Sequence, residues 1–327
     1  VRLRTTTRRT TTHRRTCRRG VVRRRTALAA TLVGLALGAA SLPAHADTAP
    51  AAPTPGVVAP YATNDYGEPL YRVAAGQQLP AVAPVAHPFK AIVTIETPAG
   101  DREFRVFVPT GLSGAPAPTL IAMPGWAQRV EPETYMRWEK IATSHHFVVL
   151  YPRGQDLSFN AGRCCGVASM RAIDDDAFLL RMLAVEKDLY PQNTARLYLT
   201  GFSNGGMMAY RFACQHPEMV AAIGVVAAAY MSRPFCMPHV AVPVMHIHGR
   251  LDGMLPWRGT AFSRLLLTSV PTVPQTDAVF GHVNYWAGVR VRNVYLRGVG
   301  HVWPHAGGAG NYDATGQLTL FLLAFHR

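Results

Sequence analysis

Five consecutive residues, Gly201-Phe202-Ser203-Asn204-Gly205, constrain this chain more than any other feature. They follow the apolar run Leu197-Tyr198-Leu199-Thr200 and open a helical pattern over residues 204–215, which Pro217 stops. A strand that passes so abruptly into a helix needs a tight, strained turn. Glycines flanking the serine relieve crowding there and leave its hydroxyl clear at the carboxyl end of the strand. The free N–H groups of the helix start lie just behind it and favour negative charge. A serine that merely N-caps a helix is the bland alternative.

The flanking sequence supplies the context such a turn requires. Residues 91–96 and 103–108 read as a hairpin around Pro98-Ala99-Gly100-Asp101. Apolar strands at 119–123, 147–151, 196–200, 221–228, 242–248 and 291–296 then alternate with helical stretches at 132–145, 176–189, 204–215 and 315–325. Near-continuous apolar strands separated by helices predict an α/β fold with a mostly parallel, twisted sheet covered on both faces. With 327 residues, 49% hydrophobic and 16% charged, one such domain over 88–327 can bury a large core.

A serine hydroxyl attacks only when a base takes its proton and a carboxylate orients that base. Residues 242–248 run into Gly249-Arg250-Leu251-Asp252, which places a carboxylate just past a strand. Residues 291–296 lead to Gly298-Val299-Gly300-His301, a histidine in a glycine-rich loop before the last helix. The predicted catalytic set is therefore Ser203, Asp252 and His301. Asp277 also lies between Ser203 and His301, but beside a helical stretch rather than at a strand end. His305 is a lesser rival base, and His246 and His248, which alternate along a strand, read as structural.

Further segments stand out: Asn160-Ala161-Gly162-Arg163-Cys164-Cys165-Gly166 with Ile173-Asp174-Asp175 and Phe178, and the serine segment through Tyr210. His246-Ile247-His248-Gly249 precedes Asp252, and His301 lies in Gly300-His301-Val302-Trp303-Pro304. Together, over about 90–327, these segments resemble the secreted poly(3-hydroxybutyrate) depolymerase-like esterases, a group that includes feruloyl and acetylxylan esterases. The resemblance implies an α/β-hydrolase fold, a Ser203–His301–Asp252 triad and hydrolysis of carboxylic esters, polymeric or small, through an acyl-enzyme. No cofactor or metal is expected. A serine peptidase on the same fold, or a binding protein that kept the fold without catalysis, are the alternatives. One departure stands out: the family usually has His-Gly-x after its third strand, where this chain reads Met123-Pro124-Gly125-Trp126. By position, the backbone amides of Trp126 and Asn204 would form the oxyanion hole.

The formal net charge of +14 suggests a nucleic-acid partner until the charges are located. Residues 1–46 hold eleven arginines and no acidic residue, which leaves 22 basic against 19 acidic residues elsewhere. The basic stretch, an apolar run from Ala27 to Leu42 and Ala44-His45-Ala46 read as a cleaved signal peptide over 1–46 and predict secretion. No nucleic-acid partner and no lasting membrane insertion are expected. Residues 47–87, rich in Ala and Pro, read as a linker or a surface strap.

Chain direction also orders the cysteines. Cys214 lies near the far end of the helix that starts at the serine, and Cys236 precedes the 242–248 strand, so a Cys214–Cys236 disulfide is predicted. Cys164 and Cys165 are left as a vicinal disulfide or two thiols. Asp174, Asp175 and Asp176 read as helix-capping carboxylates rather than a metal cluster. Trp303 and Phe159, with Trp126, are candidates for an acyl pocket, with core packing the alternative.

Overall fold

A computed structural model describes residues 56–82, 87–232, 234–289 and 291–327. The expected signal peptide over 1–46 lies outside the described residues. The sheet opens with a short edge, β1 (Ala62–Thr63) and β2 (Pro69–Val73). The hairpin β3 (Phe89–Ile95) and β4 (Arg102–Val108) follows, and then β5 (Ala117–Met123). After α1 (Pro132–Met136) and α2 (Trp138–His145) come β6 (Val148–Pro152), α3 (Gly166–Met170) and α4 (Asp175–Leu189). Next are β7 (Gln192–Phe202), α5 (Asn204–Gln215), β8 (Ala222–Val226) and β9 (Val244–Gly249). A separate small hairpin, β10 (Thr260–Ser263) and β11 (Thr268–Val270), leads to α6 (Val273–Trp286), β12 (Val291–Leu296) and α7 (Ala314–Leu322).

The main sheet has the strand order β1-β2-β3-β4-β6-β5-β7-β8-β9-β12. From β6 to β12 every neighbour pair is parallel, while β4 runs antiparallel to both β3 and β6. The carboxyl ends of β5, β7, β8, β9 and β12 therefore share one edge. Helices cover both faces. Phe178, Met208 and Phe280, from α4, α5 and α6, pack into one core cluster. Met136, Trp138, Leu318 and Phe321, from α1, α2 and α7, pack into the other.

Three local expectations change. The helix expected over 132–145 is two helices, broken at Arg137, which takes a left-handed conformation at φ 58°. Part of the 47–87 segment is built into the sheet: Leu70–Val73 of β2 pairs in parallel with β3 and buries Tyr71 and Val73, so that stretch is neither linker nor strap. The three aspartates also have separate roles. Asp174 accepts from the Ala177 amide as the α4 N-cap, Asp175 pairs with buried Arg102, and Asp176 accepts from His216.

The Cys214–Cys236 disulfide is present with Cα atoms 6.1 Å apart, and Cys164 bonds to Cys165. The Cys214–Cys236 loop stabilises the fold by about 3 kcal/mol in the chain-entropy picture.

Glu186 on α4 is buried against β5. Thr119 Oγ1 donates to its Oε1 at 3.3 Å, and its Oε2 has no partner among the described residues. Burial dominates and pushes its carboxyl up to about 8 from an ordinary 4.5. The folded state thus holds the proton more tightly than the unfolded chain. Stability is full below about pH 4.5 and falls as pH rises through 8. Glu186→Gln is expected to match wild type at pH 4 and exceed it by roughly 2–4 kcal/mol at pH 9. Urea unfolding at both pH values measures this; an equal difference at both would rule out titration of Glu186 as the cause.

Candidate active site

Ser203 sits where β7 becomes α5, with φ 52° and ψ −118°, a conformation that costs energy in any residue but glycine. The surrounding turn leaves no room for side chains. A Cβ on Gly205 would collide with the carbonyls of Met123 and Pro124, and one on Gly201 with the Gly205 backbone. The Ser203 amide donates to Val226 O at 2.9 Å, which ties the turn to β8.

Asp252 and His301 reach the same sheet edge from β9 and β12. Their loops are joined by backbone bonds, Arg250 N to Leu296 O and Leu251 N to Val299 O, each 2.9 Å. His301 Nδ1 donates to Asp252 Oδ2 at 2.8 Å. Asp252 is buried, and its Oδ1 accepts from the amides of Met254 (2.9 Å) and Leu255 (2.7 Å), so the carboxylate is fixed by its own turn. The Phe202 ring packs 4.9 Å from the His301 ring.

Ser203 and His301 line a common cavity of about 170 Å³. Its walls are mainly apolar: Trp126, Met207, Met254, Leu255, Leu265 and Leu266. The amides of Trp126 and Asn204 donate to no protein group among the described residues. Neither N–H is spent on an internal acceptor, which the oxyanion role would require. Pro124 removes one N–H from this loop and leaves that of Trp126 intact.

Two expected pocket residues are placed elsewhere. Trp303 is buried in the core, where its Nε1 donates to Thr315 Oγ1 at 3.0 Å and its ring meets Tyr135 and Trp138 edge-on. Phe159 is also buried, and its backbone is clamped by the Asn204 side chain through bonds of 2.7 and 2.9 Å. It lines a neighbouring cavity with Gly125 and Gln128, not the one that holds Ser203. His305 is exposed and outside the cavity. Asp277 is 2.7 Å from His246 Nδ1 and makes no bond to His301. The residues that do wall the cavity, Leu265 and Leu266 on the β10–β11 turn above all, carry no periodic signal. The run Leu265-Leu266-Leu267 between polar residues was the only hint.

A serine at a strained strand-to-helix turn, followed in chain order by an aspartate and a histidine at later strand ends of a helix-covered parallel sheet, has the α/β-hydrolase architecture. Residues 182–283, which include Ser203 and Asp252, match the phospholipase/carboxylesterase family. A bifunctional acetylxylan esterase/xylanase from Neocallimastix patriciarum is 29% identical over 48% of this chain and 22% of its own length. A poly(3-hydroxyoctanoate) depolymerase from Pseudomonas fluorescens is 29% identical over 42% of this chain and 54% of its own. The chain thus spans from a fifth to about half the length of these relatives. The solved structure of an acetyl xylan esterase from Aspergillus awamori aligns with a TM-score of 0.47 at 15% identity, over 66% of this chain and 96% of that one. With a probable feruloyl esterase C from Aspergillus clavatus, 35% identical over 26% of this chain and 31% of its own length, these sequence matches bear out the resemblance to depolymerase-like and acetylxylan or feruloyl esterases.

Proposed function

We propose that this chain is an exported serine esterase that hydrolyses carboxylic esters through an acyl-enzyme. The observation that carries the reading is the shared cavity: Ser203 and His301 face it together, and His301 is held from behind by Asp252. Ser203 Oγ attacks the ester carbonyl carbon while His301 accepts its proton, and the amides of Trp126 and Asn204 receive the oxyanion. His301 returns the proton to the departing alcohol, then activates water to release the acid. Asp252 holds the histidine in the tautomer that leaves Nε2 free.

The small apolar cavity favours a short acyl group, from a hydroxyalkanoate polyester or an acetylated polysaccharide, over the bulkier feruloyl group. Nitrophenyl acetate and butyrate are expected to turn over at least about tenfold faster than the dodecanoate. No hydrolysis of any ester, or comparable turnover of a peptide anilide, would contradict this reading.

A further inference from the structure

Behind the acid loop lies a buried chain of side chains that the mechanism above does not use. Tyr295 OH donates to Asp277 Oδ2 at 2.9 Å, and Asp277 Oδ1 is 2.7 Å from His246 Nδ1. His246 Nε2 is 3.1 Å from His248 Nδ1, and His248 Nε2 is 2.9 Å from Leu255 O. His248 Nε2 is also 3.5 Å from Asp252 Oδ2, the oxygen that receives His301. His246 and His248 are 0% and 1% exposed, so water does not take the place of a partner at either ring.

The hydrogens of this chain follow from what each atom can do. Leu255 O only accepts, so His248 Nε2 carries a hydrogen. Burial, then the neighbouring His246, push His248 well below the usual histidine range, so its ring is neutral and Nδ1 accepts. His246 Nε2 must therefore donate to it. One further proton lies between His246 Nδ1 and Asp277 Oδ1, as an ion pair or its neutral equivalent. Leu255 O thus fixes one end of the chain, and Asp277, on α6, holds the other by keeping His246 Nε2 the donor to His248. Reversal of His248 would turn a lone pair toward both Leu255 O and the Asp252 carboxylate, and would push the acid turn off its position.

We propose that Asp277, His246 and His248 are positioning residues: they fix the His248 tautomer so that an N–H, never a lone pair, meets the Asp252 turn. The other groups around the chain are compatible with this role. Tyr210 of α5 approaches His246 ring to ring at 6.0 Å. Trp257 meets the Tyr295 ring edge-on at 4.1 Å, and the Arg250 guanidinium lies over the Trp257 ring at 4.6 Å. The inference rests on the esterase reading, because Asp252 matters to turnover only if His301 is the base.

Paired substitutions test it. An asparagine at 277 can still accept from Tyr295 and donate its amide to His246 Nδ1, which keeps His246 Nε2 the donor to His248. A leucine cannot. Asp277→Leu is expected to lower kcat by about ten- to a hundredfold, the scale of outer hydrogen-bond partners, with KM within about twofold. Asp277→Asn is expected to restore most of the loss. Equal losses in both variants, or a loss confined to KM, would overturn the relay. Nitrogen-15 spectra of the imidazoles provide a readout that needs neither activity nor a stable leucine variant. Wild type and Asp277→Asn should show His248 protonated at Nε2 alone. A His248 protonated at Nδ1 would overturn the relay whatever the activity. Absence of wild-type ester hydrolysis, with that tautomer present, would instead overturn only the esterase reading.

Discussion

Ser203→Ala is expected to abolish ester hydrolysis, with kcat falling by about a millionfold, to the level supported by binding and the oxyanion donors alone. Nothing else in the cavity can replace the hydroxyl. The other nucleophile-bearing side chain that lines it, Cys165, is bonded to Cys164. The fold should be untouched, because the Ser203 hydroxyl makes no bond among the described residues and alanine meets the same backbone strain at φ 52°. The comparison needs only nitrophenyl acetate turnover and a thermal unfolding curve for each protein. A variant that unfolds like wild type yet keeps more than about a tenth of its activity would remove Ser203 from the mechanism.

The second large effect separates two aspartates. Asp252→Asn places an amide where the carboxylate now accepts from His301 Nδ1, which favours the wrong histidine tautomer. A loss of about ten-thousandfold in kcat is expected. Asp277→Asn, which still leaves His246 Nε2 the donor to His248, should cost only a few-fold, well under that loss. Both carboxylates are buried beside a histidine, so burial and proximity alone do not rank them. Position does, because Asp252 touches His301 and Asp277 touches His246. If the ranking of the two asparagine variants were reversed, the acid would be Asp277.

How much of this was readable in the sequence depended on the range of the interaction. The alternation of apolar strands with helices, and the glycine pattern around Ser203, are local signals that specify the parallel sheet and its turn. Chain order placed Asp252 and His301 at strand ends on one edge, where they now lie 2.8 Å apart. The break at Arg137 had no local signal, since a left-handed residue other than glycine or asparagine is selected by packing around it. The strand β2 hid in an Ala- and Pro-rich stretch because only Tyr71 and Val73 turn inward. Trp303 was misplaced for a related reason: two residues from His301 along a loop, its ring turns into the core beneath α7 rather than to the cavity. His246 and His248 were visible as an alternating pair. Their link to Asp277 required α6 to fold across β9, which no spacing in the chain declares.

The central claim is that Ser203 becomes covalently acylated. It is tested most directly by incubating the protein with a fluorophosphonate ester, which phosphonylates an activated serine hydroxyl, and then mapping the adduct by peptide mass spectrometry. One adduct per chain on the peptide that carries Ser203 is expected, strongly reduced in His301→Ala and absent in Ser203→Ala. No adduct on the folded wild-type protein, or an adduct on a different residue that persists in Ser203→Ala, would contradict it.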